Sequence, residues 1–333
     1  MAGEITHELP VLPGRLQRLA DELEEEGVPV LTDLDDPVTA LVELAYALRP
    51  QRFEGRVPTY GALLPPGGVL APDLSAAIDT TVDLVPVGEV DLQFARRFAD
   101  GVTTFAVRDA DGITDIAAFS RNMADEYDLV GLQAEIGGAV VQRHPGGQVR
   151  VFGPSGVVRW DGVAWNLDAP IDRWIRRLCS LDTGLPVEGI RPLLRFALHE
   201  LSARRIGATL IWRPVDFAVP AGRHEPLVRN TPRLRLRHIG EEAALAHVLA
   251  QTDGAALFDA TPALVALGIR LAPSTDAEQS IGAMQGMRHT SALRYSHDDP
   301  DAIVVVVSEA GPVTIMHRGR AYNSVDPTDE RIG

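Results

Sequence analysis

Residues 138–166 contain short apolar segments separated by turn sequences, and this pattern restricts the fold of the front half of the chain. Each segment has the length of a β-strand, and the Pro, Gly and Asp residues between them favour tight reversals of the chain. The predicted strands lie at residues 140–143, 148–152, 157–160 and 163–165. The stretch therefore predicts a β-meander.

Helices and further strands are predicted upstream of the meander. Leucines at helical spacing indicate one helix over residues 15–26 and another from Pro37 to Leu48. Short strands are predicted at 62–64, 103–107 and 113–118. The acidic segment between the last two resembles only the start of a calcium loop, so we interpret it as a hairpin turn. Residues 1–180 are expected to form an α+β region, either one unit or two subdomains divided near 90–135.

The back half has a different pattern, in which helices alternate with apolar strands. A linker-like break at residues 182–186 precedes it. Alternating helices and buried strands are typical of an α/β domain with a mixed sheet flanked by helices, here residues 188–325. Residues 214–231 are predicted as a loop, 233–237 as a strand with its arginines outward, solvated or facing a phosphate, and 276–296 as mostly helical. The sequence shows no sustained internal repeat.

All 31 basic residues of the chain are arginines, since the sequence contains no lysine. A P-loop of the Walker type and a Schiff-base mechanism both require lysine, so both are excluded. Any phosphate must therefore be held by arginine, by backbone amides or by a metal ion. The formal net charge of -15 argues against a nucleic-acid-binding protein, which needs a basic face.

The cysteine content and the lack of a membrane or signal segment predict where the protein is located in the cell. Cys179 is the one cysteine, so the chain forms no intrachain disulfide or thiolate metal cage. No apolar run approaches the roughly 20 residues that cross a bilayer, and the first residues lack the features of a secretory signal. We expect a cytoplasmic protein without a membrane segment.

Three short motifs in the last quarter carry the candidate chemistry. They are Asp253-Gly254-Ala255, then Gly286-Met287-Arg288-His289-Thr290-Ser291-Ala292, then Val307-Ser308-Glu309. A carboxylate on a Gly turn, an Arg-His step and a second carboxylate are what a site for phosphates and a metal needs. Taken singly, each also fits a structural role: a turn, a buried histidine or the end of a strand.

Together and in this order, the motifs resemble the diadenylate cyclase (DAC) domain, which joins two ATP molecules into cyclic di-AMP. The family carries an Asp-Gly-Ala motif, a Gly-Thr-Arg-His-Arg-x-Ala motif and a Val-Ser-Glu strand end. Its opening helix and strand are similar to residues 201–210, and the resemblance covers roughly residues 188–322. The front region looks like a probable sensor of the DACNV type that is joined to such domains.

The resemblance implies a function, a metal and a set of site residues. ATP would be condensed with Mg²⁺ or Mn²⁺ between two facing subunits of a homodimer or higher homo-oligomer, because the product is two-fold symmetric. The front region would respond to an unknown ligand or protein. The implied catalytic residues are Asp253, Arg288 and His289, and the implied metal ligands are Asp253 and Glu309. The implied nucleotide-binding residues are Gly207, Ala208, Leu210, Gly254, Ala255, Gly286, Arg288, Thr290 and Ser291.

The chain departs from the family pattern at three positions. Met287 replaces a threonine, Thr290 replaces an arginine, and Ala310 replaces a frequent glutamate. The loss of one charge-assisted contact of about 1.5–3 kcal/mol predicts turnover slowed ten- to a hundredfold. Three alternatives stay open: a nucleotide-binding regulator without catalysis, a related cyclase with another product, and an interaction protein.

Overall fold

The computed structural model describes residues 13–28, 34–49, 52, 54–55, 57–181, 183–214, 224–228, 231–236, 239–284, 286–309 and 312–323. It divides the chain into two compact units, Met1–Pro170 and Ile171–Gly333. The helix Ile171–Ser180, predicted as the end of the front region, belongs to the second unit. This helix buries Trp174, Ile175 and Leu178, and it contacts the helix that starts at Arg191.

The first unit is a mixed sheet with helices on both faces. Its helices are α1 (Gly14–Glu25), α2 (Pro37–Ala47), α3 (Leu74–Ala77), α4 (Leu92–Ala95) and α5 (Glu126–Ile136), with 3₁₀ turns at Pro66–Gly68 and Arg96–Phe98. Its strands are β1 (Tyr60–Leu64), β2 (Val82–Pro86), β3 (Thr104–Arg108), β4 (Ile113–Phe119), β5 (Ala139–Arg143), β6 (Val149–Gly153), β7 (Gly156–Trp160) and β8 (Trp165–Asp168). The strand order is β2-β4-β3-β1-β5-β6-β7-β8, and β1 pairs parallel with β3.

Both faces of this sheet are covered by apolar residues. Helices α1 and α2 contribute Leu19, Leu23, Leu41 and Leu44 to the core on one face. Helix α5 contributes to the core on the other face through Leu129, Leu132 and Ile136. Because side chains alternate between the faces of a strand, residues 140 and 141 of β5 belong to opposite cores.

The second unit is also a mixed sheet with flanking helices. Its helices are α6 (Ile171–Ser180), α7 (Arg191–Arg195, continued as a π-helix over Phe196–Ser202), α8 (Ile239–Leu249), α9 (Thr275–Ser280) and α10 (Met287–Asp298), with a 3₁₀ turn at Val187–Ile190. Its strands are β9 (Ala208–Trp212), β10 (His224–Val228), β11 (Ala255–Phe258), β12 (Leu264–Leu271), β13 (Ile303–Val307), β14 (Val313–His317) and β15 (Arg320–Asn323). The order is β10-β12-β11-β9-β13-β14-β15.

The two sheets share one strand order. Each has a five-residue central strand, β1 or β9, that pairs parallel on one side and antiparallel on the other. Moving outward, β3, β4 and β2 correspond to β11, β12 and β10, while β5, β6 and β7 correspond to β13, β14 and β15. All of these outer pairs are antiparallel in both sheets. The structure therefore contains an internal repeat of topology, where the sequence predicted none.

Most predicted elements are confirmed, including the meander and the β3–β4 hairpin. The predicted mixed α/β fold of the second unit is also confirmed. The strands on either side of 90–135 lie in one eight-stranded sheet. None of the described helices combines the length and apolar character that a membrane span requires.

Three local predictions need correction. Strand β10 lies in the segment predicted as a loop. The segment predicted as a strand at 233–237 is irregular where it is described, with one bridge at Arg235, although Leu236 is buried and Arg235 exposed as expected. The predicted helix 276–296 is two helices, α9 and α10, because the chain leaves helical geometry between Ile281 and Gly286.

Candidate functional site

Three predicted motif segments meet at the edge of the second sheet where β9 begins. Ala208, the first residue of β9, lies opposite Val307, the last residue of β13. Thr209 lies opposite Ala255, the first residue of β11. Gly207, the Asp253-Gly254 pair and the Ser308-Glu309 pair are therefore adjacent to one another across three neighbouring strands.

Helix α10 carries the Arg-His step to the same edge. Ala292, Leu293 and Tyr295 pack in one apolar cluster with Val304 and Val306 of β13, so the helix is fixed on this face of the sheet. Its far end is tied to the chain before α9, since the backbone N–H of Ser274 donates to Asp298 at 2.8 Å. The first turn of α10, which contains Arg288 and His289, is thereby placed beside the start of β9.

Gly207 provides the space that the Arg288 guanidinium occupies. A Cβ atom at Gly207 would lie 2.2 Å from Nη1 of Arg288 and 2.7 Å from Cγ of Glu309. Arg288 Nη2 is 3.8 Å from Glu309 Oε1, and the two side chains are 37% and 78% exposed. The cation and the carboxylate therefore meet over a glycine, and both remain accessible to a ligand.

Gly254 has a conformational reason to be glycine. Its φ is +95°, and a Cβ there would lie 2.8 Å from the carbonyl carbon of Gly268 on β12. Asp253 precedes it and is exposed. The close approach of β11 and β12 thus fixes the turn that brings the Asp253 carboxylate to the edge.

His289 is half-buried next to Arg288. Burial lowers its pKa below the ordinary value of 6.5, and the positive charge of Arg288 lowers the pKa further. The imidazole is therefore neutral near pH 7 and carries one nitrogen that can accept a proton or a hydrogen bond.

Thr290 and Ser291 bond to the backbone around the start of α10. The Thr290 hydroxyl accepts from the backbone N–H of Met284 at 3.0 Å and lies 3.0 Å from the carbonyl oxygen of Gly286, to which it donates. The Ser291 hydroxyl donates to the Arg288 carbonyl at 3.1 Å. Sequence reasoning did not foresee this role of Thr290, although a hydroxyl four residues after a glycine at a helix start was a usable signal.

The remaining predicted binding residues differ in their exposure. Ala208 and Ala255 are buried, and Leu210 is fully buried at 0% exposure, so their side chains belong to the core in this conformation. Gly286 is exposed, and Met287 is 89% exposed. Ala310 lies outside the described residues.

The carboxylates at this edge fit a hard divalent cation only in part. Asp253 and Glu309 are both exposed there, and Mg²⁺ is commonly held by one or two carboxylates together with substrate phosphates. Among the described residues, no group of three or more His, Cys, Asp or Glu side chains converges as a metal site. Asp253 and Glu309 are therefore the two carboxylates at this edge that could contribute oxygen ligands.

Two family models match the chain. One, "Probable sensor domain DACNK", matches residues 17–168. The other, DAC, "DisA bacterial checkpoint controller nucleotide-binding", matches residues 195–321 and includes every residue of the edge described above. Residues 195–321 therefore match the DAC family and residues 17–168 match a probable sensor domain, and we refer to these regions as the DAC domain and the sensor domain. The predicted family is confirmed, and the sensor model that matches is DACNK, where the sequence analysis expected DACNV.

Solved structures also align with part of this chain. A "hypothetical membrane spanning protein from Bacillus cereus" has 18% identity and a TM-score of 0.30, over 46% of this chain and 76% of that chain. A double mutant of DacA from Staphylococcus aureus has 18% identity and a TM-score of 0.29, over 43% of this chain and 90% of that chain. A comparison with curated proteins gives no match.

Proposed function

We propose that this protein is a metal-dependent diadenylate cyclase that condenses two ATP molecules into cyclic di-AMP and two pyrophosphates. The observation that supports this proposal most directly is that the side chains of Arg288 and Glu309 lie close together beside Gly207. Asp253 lies at the same edge of the sheet. The DAC family match over residues 195–321 supports the same class of reaction.

The reaction needs positive charge and a proton acceptor at this edge. The 3′-oxygen of one ATP forms a bond to the α-phosphorus of the other, the bond to pyrophosphate breaks, and the hydroxyl proton leaves. A second, equivalent step closes the ring. Arg288 supplies a fixed cation for the phosphates, which a chain without lysine must take from arginine.

The Arg288–Glu309 pair is suited to exchange with a triphosphate. An ion pair between partly exposed side chains contributes only about 0–1 kcal/mol. Replacing the Glu309 carboxylate by a phosphate oxygen would therefore cost Arg288 little. Glu309 would then be free to turn toward a cation bound with the phosphates.

Asp253 and Glu309 are the residues that would hold Mg²⁺ or Mn²⁺. When bound, such an ion neutralises the phosphates and polarises the reacting phosphorus. Asp253 would lie near the attacking hydroxyl, where a carboxylate favours loss of the proton. Neutral His289 would accept or donate a hydrogen bond beside Arg288.

The symmetry of the product implies a second subunit. Each subunit would present one ATP, and the two sites would face each other through an isologous contact. The exposure of Met287, Arg288 and Glu309 in a single chain agrees with a site that a partner completes. The sensor domain would control how two DAC domains meet, and the cytoplasmic location remains a prediction.

The test is to incubate the full chain with ATP and Mn²⁺ and to measure cyclic di-AMP. We expect product that disappears in Asp253→Asn and depends on protein concentration as a dimer does. Glu278→Gln is the charge-matched control, because Glu278 is an exposed carboxylate on α9 outside the predicted site residues. Its activity should equal that of the wild type.

Other outcomes separate the alternatives. ATP binding without product identifies a nucleotide-binding regulator, which the changes at Met287 and Thr290 would favour. A different product in a mixture of ATP and GTP identifies a related cyclase. Absence of binding to any nucleotide contradicts the proposal and leaves an interaction protein.

A further inference from the structure

A cavity of about 420 Å³ opens in the first unit, at the edge of the sheet where β1 and β3 end. These two strands are parallel, so their carboxyl ends meet at one edge. In open sheets, ligands bind in crevices outside the carboxyl ends of the strands, and ligand pockets measure about 300–1,000 Å³. The cavity has the location and the size of a small-molecule site.

Four chain segments form its walls. They are the residues before α2 and its start, the loop after β1, the β3–β4 turn and the glycines before β5, at residues 34–39, 64–68, 108–111 and 137–138. In the part of the second unit that the structure describes, a buried ion pair occupies the corresponding edge: Arg213, just after β9, lies 3.2 Å from Asp299, and both side chains are almost fully buried. The opening is therefore a property of the first unit and not of the shared strand order.

Hydrogen bonds hold the polar walls in place. The Asp36 carboxylate accepts from the backbone N–H of Thr39 at 2.9 Å and caps α2. Arg108 donates from Nε to Glu43 of α2 at 2.7 Å and from Nη1 to the Gly112 carbonyl at 2.7 Å. Buried Arg108 thus ties the β3–β4 turn to α2, so the two walls are fixed relative to each other.

The charge of the lining selects the class of ligand. Four aspartates line the cavity, Asp35 and Asp36 on one wall and Asp109 and Asp111 on the other. Arg108, the one basic residue of the lining, is already paired with Glu43. The negative charges of the aspartates would repel an anion, so nucleotides and phosphates are disfavoured as ligands. Among the described residues, no three His, Cys, Asp or Glu side chains converge here as a metal site.

We propose that this cavity is the ligand site of the sensor domain and that it binds a small organic cation with two or more amino groups. The carboxylates lie on two walls of the cavity, so two amino groups of one molecule can each meet a carboxylate. The family description of residues 17–168 as a probable sensor domain supplies a reason for a ligand. The proposal does not depend on cyclase activity.

The experiment titrates spermidine into the full chain without ATP, by calorimetry at physiological ionic strength. We expect saturable binding with one site per chain. The double variant Asp35→Asn/Asp111→Asn removes two exposed carboxylates of the lining and should weaken binding at least about tenfold. The double variant Asp83→Asn/Asp91→Asn removes the same charge from exposed positions elsewhere in the unit and should bind as the wild type does.

The controls make the outcomes decisive. Equal weakening in both double variants would mean diffuse attraction to an acidic protein and would overturn the proposal. Saturable binding of Mg²⁺ alone, lost in Asp35→Asn/Asp111→Asn while spermidine does not bind, would identify a metal site instead. Because ATP is absent, failure here leaves the proposed cyclase untouched, and failure of the cyclase assay leaves this result untouched.

Discussion

The two sheets of this chain have the same strand order but opposite open edges. In the DAC domain, the edge where the central strand begins is accessible, with Arg288 and Glu309 partly exposed. In the sensor domain, that edge is closed by Glu126, Gln142 and Arg150, which are nearly fully buried. At the other edge the situation is reversed, with a cavity in the sensor domain and the buried Arg213–Asp299 pair in the DAC domain.

This difference indicates that the shared strand order provides a possible ligand site at each edge of the sheet. The side chains at each edge determine which of the two is open. At the first turn of the helix before the fifth strand, the DAC domain has Arg288 and the sensor domain has Tyr127. Before the central strand, the DAC domain has Gly207 and the sensor domain has Thr59. Lacking the glycine and the arginine, the sensor domain fills this edge with its own ion pairs.

The largest effect is expected from breaking the closed edge of the sensor domain. Glu126 accepts from Arg159 Nη2 at 2.5 Å, and Glu126→Gln leaves the nearly buried Arg159 with Asp168 as its remaining carboxylate partner. Loss of one partner of a buried pair costs up to about 3–5 kcal/mol. Urea denaturation of the full chain should show this loss in the sensor domain.

Glu309→Gln is the matched change at the open edge of the DAC domain. Its partner Arg288 is partly exposed, so the free energy of unfolding should change by only about 0–1 kcal/mol. Equal destabilisation by Glu126→Gln and Glu309→Gln would contradict the contrast between a closed and an open edge.

A smaller effect, on activity, is expected from Gly207→Ala. The added Cβ would displace the Arg288 guanidinium, from which it is only 2.2 Å away, without removing any charge. A lost charge-assisted contact of about 1.5–3 kcal/mol slows cyclic di-AMP formation about ten- to a hundredfold. Arg288→Gln should have a similar effect, and Arg270→Gln, an exposed control on β12, should have none. Full activity of Gly207→Ala would show that catalysis does not depend on the position of the Arg288 guanidinium.

A modest gain in stability is expected from Arg205→Gly. Arg205 follows the π-helix with a φ of +57°, and the N–H of Ile206 bonds back to the Leu201 carbonyl at 2.8 Å. This left-handed position at a helix end favours glycine. The substitution should stabilise the DAC domain by about 0.5–1 kcal/mol in chemical denaturation. A decrease in stability would show that the Arg205 side chain makes a compensating contact.

The smallest expected effect is on the pH dependence of stability. Burial lowers the pKa of His144 in the sensor domain and of His317 in the DAC domain below 6.5. The unfolded chain therefore binds more protons than the folded one at mildly acid pH. Stability should be full above about pH 6.5 and should fall as the pH drops through the lowered pKa values. Thermal unfolding at stepped pH would show this, and His317→Gln should flatten the DAC-domain response.

Sequence patterns predicted local structure well where the pattern depends on near neighbours. The leucine spacing of α1, the Asp36-Pro37 start of α2 and the Pro-Gly punctuation of the meander were sufficient. The π-helix was not predicted, because packing against the sheet overrides local propensity there. The separation of α9 from α10 was missed although Gly282 and Gly286 are local signals of a break.

The sequence by itself determined which groups are available: arginine without lysine, and motif carboxylates in the order of the DAC family. It also determined that Gly207 and Gly254 carry no side chain, but not what each glycine makes room for. Only the tertiary structure decided that one strand order occurs twice and that a different edge is open each time. The reason is physical: whether an edge is open depends on side chains such as Glu126 and Arg159, which are distant in sequence and meet only after the sheet has formed.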